Sequence, residues 1–529
     1  MLKRRATIEE TRDAFRWDIP KRYNIGVDVC DRIALNTPDA PAIIVGETVT
    51  SFAALKALSN KIANVLSGHA KQGDRIAVLL PQRLETAASH IAILKMGAIS
   101  LPLFTLFGPE ALMHRLRDSG ARVLITDAQS ASVINGIRSE LPDLEVVFSV
   151  DASTEEATDL HSALAAASDQ FDPVDTAADD PAFLIYTSGT TGNPKGALHA
   201  HRVLLGHLPG VEMSHNYFPQ PGDRIWTPAD WAWIGGLLDV LMPALHHGVA
   251  VVAHRFAKFD GLAAFELMKK HKVRNAFLPP TALKIMRQVE TPPEIELRSI
   301  ASGGETLGAE LISWGEKVFG TTINEFYGQT ECNMIVSSCA ELAPAEPGVM
   351  GFAVPGHEVR VLAEGNNEGP IAVRAPDPVM FLEYWKNPKA TAEKFVTIDG
   401  EQWLLTGDTG MMTETGRIRF VGRDDDIISS GGYRIGPAEI EDCLLTHPAV
   451  QMAGVVGKPD ALRGEIVVAF VQLADSFSAS EALAKEIAAH VKERLAAYEY
   501  PREVRFLDTM PTTTTGKIIR RNLREMCND

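Results

Sequence analysis

Ala182-Phe-Leu-Ile-Tyr186 runs directly into Thr187-Ser-Gly-Thr-Thr-Gly-Asn-Pro-Lys-Gly196. An unbroken apolar run of this length reads as a strand buried on both faces, the pattern of a parallel sheet covered by helices. In the loop that follows, glycines allow a positive φ, hydroxyls and backbone N–H groups can face an anion, and Lys195 adds a point charge. The stretch is therefore a candidate phosphate cradle at a strand end. It is not a G-x-x-x-x-G-K-[ST] loop, because Lys195 follows Pro194 and precedes Gly196. Thr515-Gly-Lys-Ile518 fails that pattern too, since Ile518 offers no hydroxyl to a magnesium ion.

Outward from this point the pattern recurs. Arg75-Ile-Ala-Val-Leu-Leu80, Ala121-Arg-Val-Leu-Ile-Thr126, Leu144 to Val150, Val249-Ala-Val-Val-Ala253 and Asn275 to Leu278 are β-branched runs with helical stretches between them. The fold class they define is α/β, parallel sheets covered by helices. Ala87 to Phe107 is the most apolar long segment, but His90 and Lys95 interrupt it, so it reads as a buried helix leading into a strand and not as a membrane span. A change comes near Gly422. A Gly-punctuated hairpin, Thr413-Glu-Thr-Gly-Arg-Ile-Arg-Phe420, precedes it, and the polar run Arg423-Asp-Asp-Asp426 follows. Beyond lies a compact α+β pattern: helix 437–445, strand 450–456, strand 466–473, helix 481–495 and strand 503–507. About 100 residues suffice for an autonomous domain. The expected division is an N-terminal domain, 1–424, and a small C-terminal domain, 425–529, with the boundary at Asp425.

The chain has 529 residues, 45% apolar and 22% charged, with 51 basic and 68 acidic residues, a formal charge of 51 − 68 = −17. The apolar fraction excludes a disordered or fibrous chain, and the acidic balance opposes non-specific attraction to nucleic acid or anionic membrane. Neither nucleic acid nor stable membrane insertion is expected, and a homo-oligomer is compatible with the composition. Cys30, Cys332, Cys339, Cys443 and Cys527 form no Cys-x-x-Cys pair or Cys/His cluster, which removes zinc ribbons, iron–sulfur sites and disulfide scaffolds. The charged start MLKRRATIEETRDAF has no secretory pattern, so a cytoplasmic location is expected.

Four separated blocks occur in order: Thr187 to Gly196, Tyr327-Gly-Gln-Thr-Glu331, Thr406-Gly-Asp408 with Gly422-Arg423, and Gly516-Lys517. Together they resemble the adenylate-forming superfamily of acyl-CoA synthetases, acyl and aryl ligases, luciferases and peptide-synthetase adenylation domains, across almost the whole chain. The resemblance implies ATP, Mg2+ and coenzyme A as cofactors and a small carboxylic acid as substrate. In adenylate formation a carboxylate oxygen attacks the α-phosphorus and pyrophosphate leaves. Both reactants are anionic, so cations and oriented donors matter more than a base.

Residue by residue, the resemblance implies that Thr187, Ser188, Gly189, Thr190, Thr191, Gly192 and Lys195 hold the β- and γ-phosphates. Glu331, with Thr187, binds magnesium; Asp408 accepts the ribose hydroxyls and Arg423 supports them. Gly304, Glu305, Thr306, Glu325, Phe326, Tyr327, Gln329 and Thr330 line the adenine and ribose side, joined by Arg434. Lys517 bridges the acyl carboxylate and the α-phosphate. It must be withdrawn for thioester formation, so the C-terminal domain is expected to be mobile about Asp425, bringing Gly431, Gly432 and Tyr433 to the pantetheine path.

Ile225-Trp-Thr-Pro-Ala-Asp-Trp-Ala-Trp-Ile-Gly-Gly236 resembles the acyl-pocket segment of the acetyl-CoA and medium-chain acyl-CoA synthetase branch. Trp233, Ile234, Gly235, Gly303 and Gly328 are the implied pocket residues. Acetyl-specific members carry tryptophan at the place of Gly328 and valine at that of Gly303, so the two glycines imply room for a straight or branched C4–C8 acid. A small benzoate-like acid is the alternative, and a non-catalytic nucleotide-binding homologue is the reading from another class.

Overall fold

The computed structural model describes residues 2–151, 153, 157–187, 194–363, 367–423, 426–430, 433–460, 463–495, 500–513 and 516–527; at 429, 433, 434 and 439 it describes the backbone only. Among the described residues the strands form three sheets. One has parallel strands Ile99–Pro102, Arg75–Leu79, Val123–Thr126 and Val146–Ser149 at its centre, with Pro181–Tyr186 parallel to Ile99–Pro102. Gly196–Ala200 returns antiparallel along Pro181–Tyr186, so the cradle loop joins two neighbouring strands. Ala87 to Phe107 is indeed a buried helix, Leu84–Lys95, followed by the strand Ile99–Pro102.

The largest sheet carries the site. Pro41–Val45, Ala250–Ala253, Arg224–Trp226, Asn275–Phe277, Ser299–Gly303 and Ile323–Gln329 lie side by side, all parallel. The last three end together, with Phe277 opposite Ala301 and Gly303 opposite Phe326. The C-terminal ends of parallel strands are where α/β sheets leave a crevice for ligands. The sheet then turns antiparallel through Cys332–Ser337, Val349–Ala353, Ile418–Arg423 and Glu401–Met412, which sets Asp408 directly opposite Arg423.

The third sheet belongs to the C-terminal part. Val450–Asp460 pairs antiparallel with Gly464–Leu473, and Glu503–Phe506 adds in parallel. Helix Pro437–Leu445 begins with proline, whose fixed φ suits a first turn. Ser480 caps helix Glu481–Lys492 by accepting from Leu483 N, and Ile487 and Val491, four apart, share its buried face. These side chains join Ile428, Ile440, Leu444, Val455, Val467 and Ala469 in a core of their own. The sequence pattern anticipates these elements, but not the hairpin Ile428–Ser430 with Tyr433–Ile435, whose strands are too short for periodicity. In the last helix Arg521 faces outward, while Arg520 and Arg524 turn toward the start of this unit. Arg520 pairs with Glu441 at 2.6 Å and with Asp426 at 3.5 Å, and Arg524 also pairs with Asp426, tying the last helix to the start of this unit. No helix of the described residues is long and apolar enough to cross a membrane.

Candidate active site

Asp408 lies nearly buried at the centre of a hydrogen-bonded knot. Tyr327 OH donates to its Oδ2 at 2.6 Å and Gln329 Nε2 to the same oxygen at 3.2 Å, while Arg423 Nε lies 3.9 Å from Oδ1. Lys394 Nζ in turn donates to Gln329 Oε1 and to the carbonyls of Leu405 and Thr406. Burial, and next the Asp408 charge, raise the Tyr327 phenol well above its usual range, so it stays a neutral donor. The Asp408 carboxylate is thus held rigidly in one orientation.

Glu331 sits beyond the bulge that interrupts pairing between Ile323–Gln329 and Cys332–Ser337. Tyr384 OH donates to its Oε1, and Lys195 Nζ stands 5.2 Å from the centre of the Tyr384 ring. Thr187 N donates to Lys195 O, closing the base of the cradle. Lys195, Tyr384 and Glu331 therefore face one space. Ser188, Gly189, Thr190, Thr191 and Gly192 lie outside the described residues, as do Asp425, Gly431 and Gly432 and the side chains of Tyr433 and Arg434. No group of three or more His, Cys, Asp or Glu among the described residues could hold a metal by itself. A lone carboxylate with one lone pair engaged by Tyr384 suits a hard cation that takes its remaining ligands from phosphate oxygens and water.

Lys517 is brought to the same crevice from the far end of the chain. Its Nζ stands 5.9 Å from the centre of the Trp233 ring, and Gly304, at φ +95°, leaves a path past which the Lys517 Cε fits 3.7 Å from where a side chain would begin. Gly516 takes φ +88°, and a Cβ there would meet Thr281 at 3.0 Å, so only glycine lets the loop come this close. Burial lowers the Lys517 pKa; the Glu305 and Asp408 charges oppose that and Arg423 adds to it. An ammonium so placed gains when a second anion arrives.

Trp233, Phe277 and Phe326 form a row of rings, 5.6 Å and 5.2 Å between successive centres, of which only Trp233 is more than slightly exposed. Both glycines are closely packed by their neighbours. A Cβ on Gly303 would lie 2.6 Å from the Phe326 ring, and one on Gly328 would lie 2.2 Å from Asn333 Oδ1. Gly235 is covered by the Trp233 ring, and Ile234 is buried in the N-terminal core. Tyr384, Lys394, Phe277, Thr281 and Asn333 escape a sequence reading, because none lies in a local motif; only sheet crossings bring them here.

Around the docked C-terminal unit stand several carboxyls. Burial raises Glu305, against the pull of Lys284 and Lys517. Glu325, at the base of the Tyr327 strand, is pushed up to about 8 by burial, with Asp442 of helix Pro437–Leu445 adding to the effect. Its Oε1 accepts from Leu307 N at 3.4 Å, and its Oε2 has no hydrogen-bond partner among the described residues. A carboxyl whose folded pKa is raised contributes most below its unfolded pKa, and that contribution disappears as pH rises through about 8. Wild-type Tm should therefore fall by several degrees from pH 5 to pH 8, and Glu325→Gln should flatten the fall. Parallel pH profiles of thermal unfolding for the two proteins would refute the assignment.

A crevice at parallel strand ends, with the base of the phosphate cradle and Glu331 on one side and a lysine entering from a separate small domain on the other, fits an adenylate-forming ligase. The sequence comparisons agree. Residues 30–385 match the model of the AMP-binding enzyme, and residues 439–517 match that of the AMP-binding enzyme C-terminal domain. Human mitochondrial acyl-coenzyme A synthetase ACSM4 is 34% identical, over 96% of this chain and 91% of that protein. The structure of the anthranilate CoA ligase AuaEII in complex with anthranoyl-AMP has a TM-score of 0.88 at 27% identity, covering 96% of this chain and 98% of that one. A benzoate CoA ligase from Burkholderia xenovorans LB400 has a TM-score of 0.82 at 26% identity, covering 95% and 100%. The chain belongs to the AMP-binding enzyme family and is an AMP-forming CoA ligase.

Proposed function

We propose that this ligase activates a straight or branched C4–C8 acid, joining it first to AMP and then to coenzyme A. The observation that carries the two-step reading is the Lys517 ammonium beside Trp233 and Gly304, close enough to Glu305 and Asp408 to feel both charges. A carboxylate oxygen of the acid attacks the α-phosphorus of ATP, the bond from that phosphorus to the bridging oxygen breaks, and pyrophosphate leaves with the electron pair. Lys517 neutralises the two anions as they meet. Lys195 and the hydroxyl loop from Thr187 hold the outgoing phosphates, and Asp408 with Arg423 fixes the ribose. Glu331 and Thr187 would hold magnesium, which would supply charge neutralisation on the phosphates. The CoA sulfur then attacks the acyl carbon and AMP leaves, after the 425–529 unit has turned about Asp425 and drawn Lys517 away.

The partly buried Trp233 ring, backed by the buried Phe277 and Phe326, supports an acid with an apolar body, each buried methylene contributing about 0.8 kcal/mol. The same three rings, together with likeness to benzoate and anthranilate ligases, favour a small aromatic acid as the second reading. Pyrophosphate release measured over a series of acids, with and without CoA, separates them. The expected result is release that requires an acid of four or more carbons. A strong preference for acetate would overturn the chain-length reading, and the best rates with benzoates would select the second one.

A further inference from the structure

Arg115 is a nearly buried cation that none of the roles above uses. It stands on the helix Pro109–Ser119, is 5% exposed, and forms no ion pair among the described residues. Its Nη1 donates to Ala111 O at 2.8 Å, one turn back in the same helix. Nε is enclosed and has no hydrogen-bond partner among the described residues; Nη2 has none among them either and is not enclosed. The guanidinium lies over the Phe107 ring, 4.0 Å from its centre, and 5.8 Å from the centre of the Tyr186 ring. Ring faces attract the charge but leave the in-plane N–H groups without acceptors. Burial lowers the Arg115 pKa to about 10, with Tyr186 opposing, so the group stays charged at neutral pH. A buried charge is ordinarily paired, because desolvation without a partner is costly. Arg115 is therefore suited to an anion from outside the chain.

The helix that carries Arg115 touches both ends of the hydroxyl-rich loop. Tyr186, the last residue before Thr187, sets its ring beside Arg115 and donates its OH to Asp118 Oδ2 at 2.5 Å. Asp118, the carboxylate on the same helix face, is thus engaged by Tyr186 and not by Arg115. At the other end, His114 Nε2 lies 3.1 Å from Pro194 O, next to Lys195. Trp385 Nε1 and Lys386 Nζ both donate to Asp118 O, which fixes the helix end against the strand that leaves the loop. Two successive residues, His114 and Arg115, thus meet the exit and the entry of one loop.

From this juxtaposition we infer that Arg115 is a further phosphate-binding residue of the cradle, its unpaired N–H groups taking phosphate oxygens of a nucleotide held at the loop 187–195. The inference rests on the ligase reading and adds a residue to its phosphate site. The unpaired guanidinium itself demands an anion, and the contacts of residues 114 and 115 set the place. A planar guanidinium can meet two oxygens of one phosphate at once, and the rings beside it hold it in one orientation. Two sources of that phosphate are open to such an enzyme, the outer phosphates of ATP and the phosphates of coenzyme A.

The test is calorimetric binding of ATP, AMP and CoA, each with magnesium, to wild type, Arg115→Met and Arg115→Lys. ATP and AMP differ only in the outer phosphates. The expected result is that Arg115→Met binds ATP about tenfold or more weakly, having lost hydrogen bonds between charged groups, while AMP stays within about threefold of wild type. Arg115→Lys, which keeps the charge but not the fork, should fall between. A selective loss for CoA instead would assign Arg115 to the phosphates of CoA and would equally support the site. Losses below about threefold for both ATP and CoA, or a loss for AMP as large as theirs, would overturn the inference. If Arg115→Met does not fold, Arg115→Lys decides by the same limits. A wild type that binds ATP but releases no pyrophosphate with any acid defeats the ligase reading, whereas altered binding in the variants decides this inference alone.

Discussion

Lys517→Ala will lose acyl-adenylate formation by about a hundred- to thousandfold, the ~3–4 kcal/mol that one oriented donor to developing negative charge is worth. It will keep thioester formation from supplied acyl-adenylate. The asymmetry follows from the position of Lys517. Its ammonium reaches the crevice only because the C-terminal unit is docked, with Gly516 against Thr281 and Gly308 3.4 Å short of Asp442 measured from an added Cβ. On the proposed mechanism, by the second half-reaction pyrophosphate has already left, the repulsion Lys517 relieves is gone, and the unit has turned away. The measurement is pyrophosphate exchange for the first step and AMP release from synthetic acyl-adenylate plus CoA for the second. Equal losses in both would remove Lys517 from the proposed role.

Asp408→Ala comes next in size. Its carboxylate accepts from Tyr327 and Gln329 and faces Arg423, so its loss leaves a buried phenol and an amide short of an acceptor, each costing about 1–3 kcal/mol. It also removes the charged acceptor proposed for the ribose, worth about 1.5–3 kcal/mol per hydrogen bond. The expected result is a rise of about 100-fold in KM for ATP, with a smaller change in KM for the acid. Asp408→Asn, which keeps the shape, should lose nearly as much, since an amide has a single accepting oxygen and presents a donating NH2 where the second carboxylate oxygen stood. A KM for ATP within about threefold of wild type, in a protein that melts normally, would sink the ribose assignment.

Much of the fold is legible in the amino-acid sequence itself. The strand-to-loop junction at Tyr186–Thr187, the parallel character of the sheets and the separate C-terminal unit all follow from local patterns that each segment carries by itself. The acid side is not legible in the same way. Gly303 and Gly328 look like room in a linear reading, because a missing side chain is a local fact; whether the space stays empty depends on residues far away or across a bulge. Phe326 swings over the one and Asn333 over the other. Tyr384, 53 residues beyond Glu331, reaches it through strand pairing, and no spacing rule anticipates that.

The order of residues alone therefore determined the class of fold and the AMP-forming ligase class, since phosphate chemistry demands particular residue types in short contiguous runs. Only the tertiary structure decided what packs around Gly303 and Gly328. Trp233, Phe277, Phe326 and Asn333 come from four segments brought together by sheet register and close packing, and packing is a property of neighbours in space that no single stretch of chain contains.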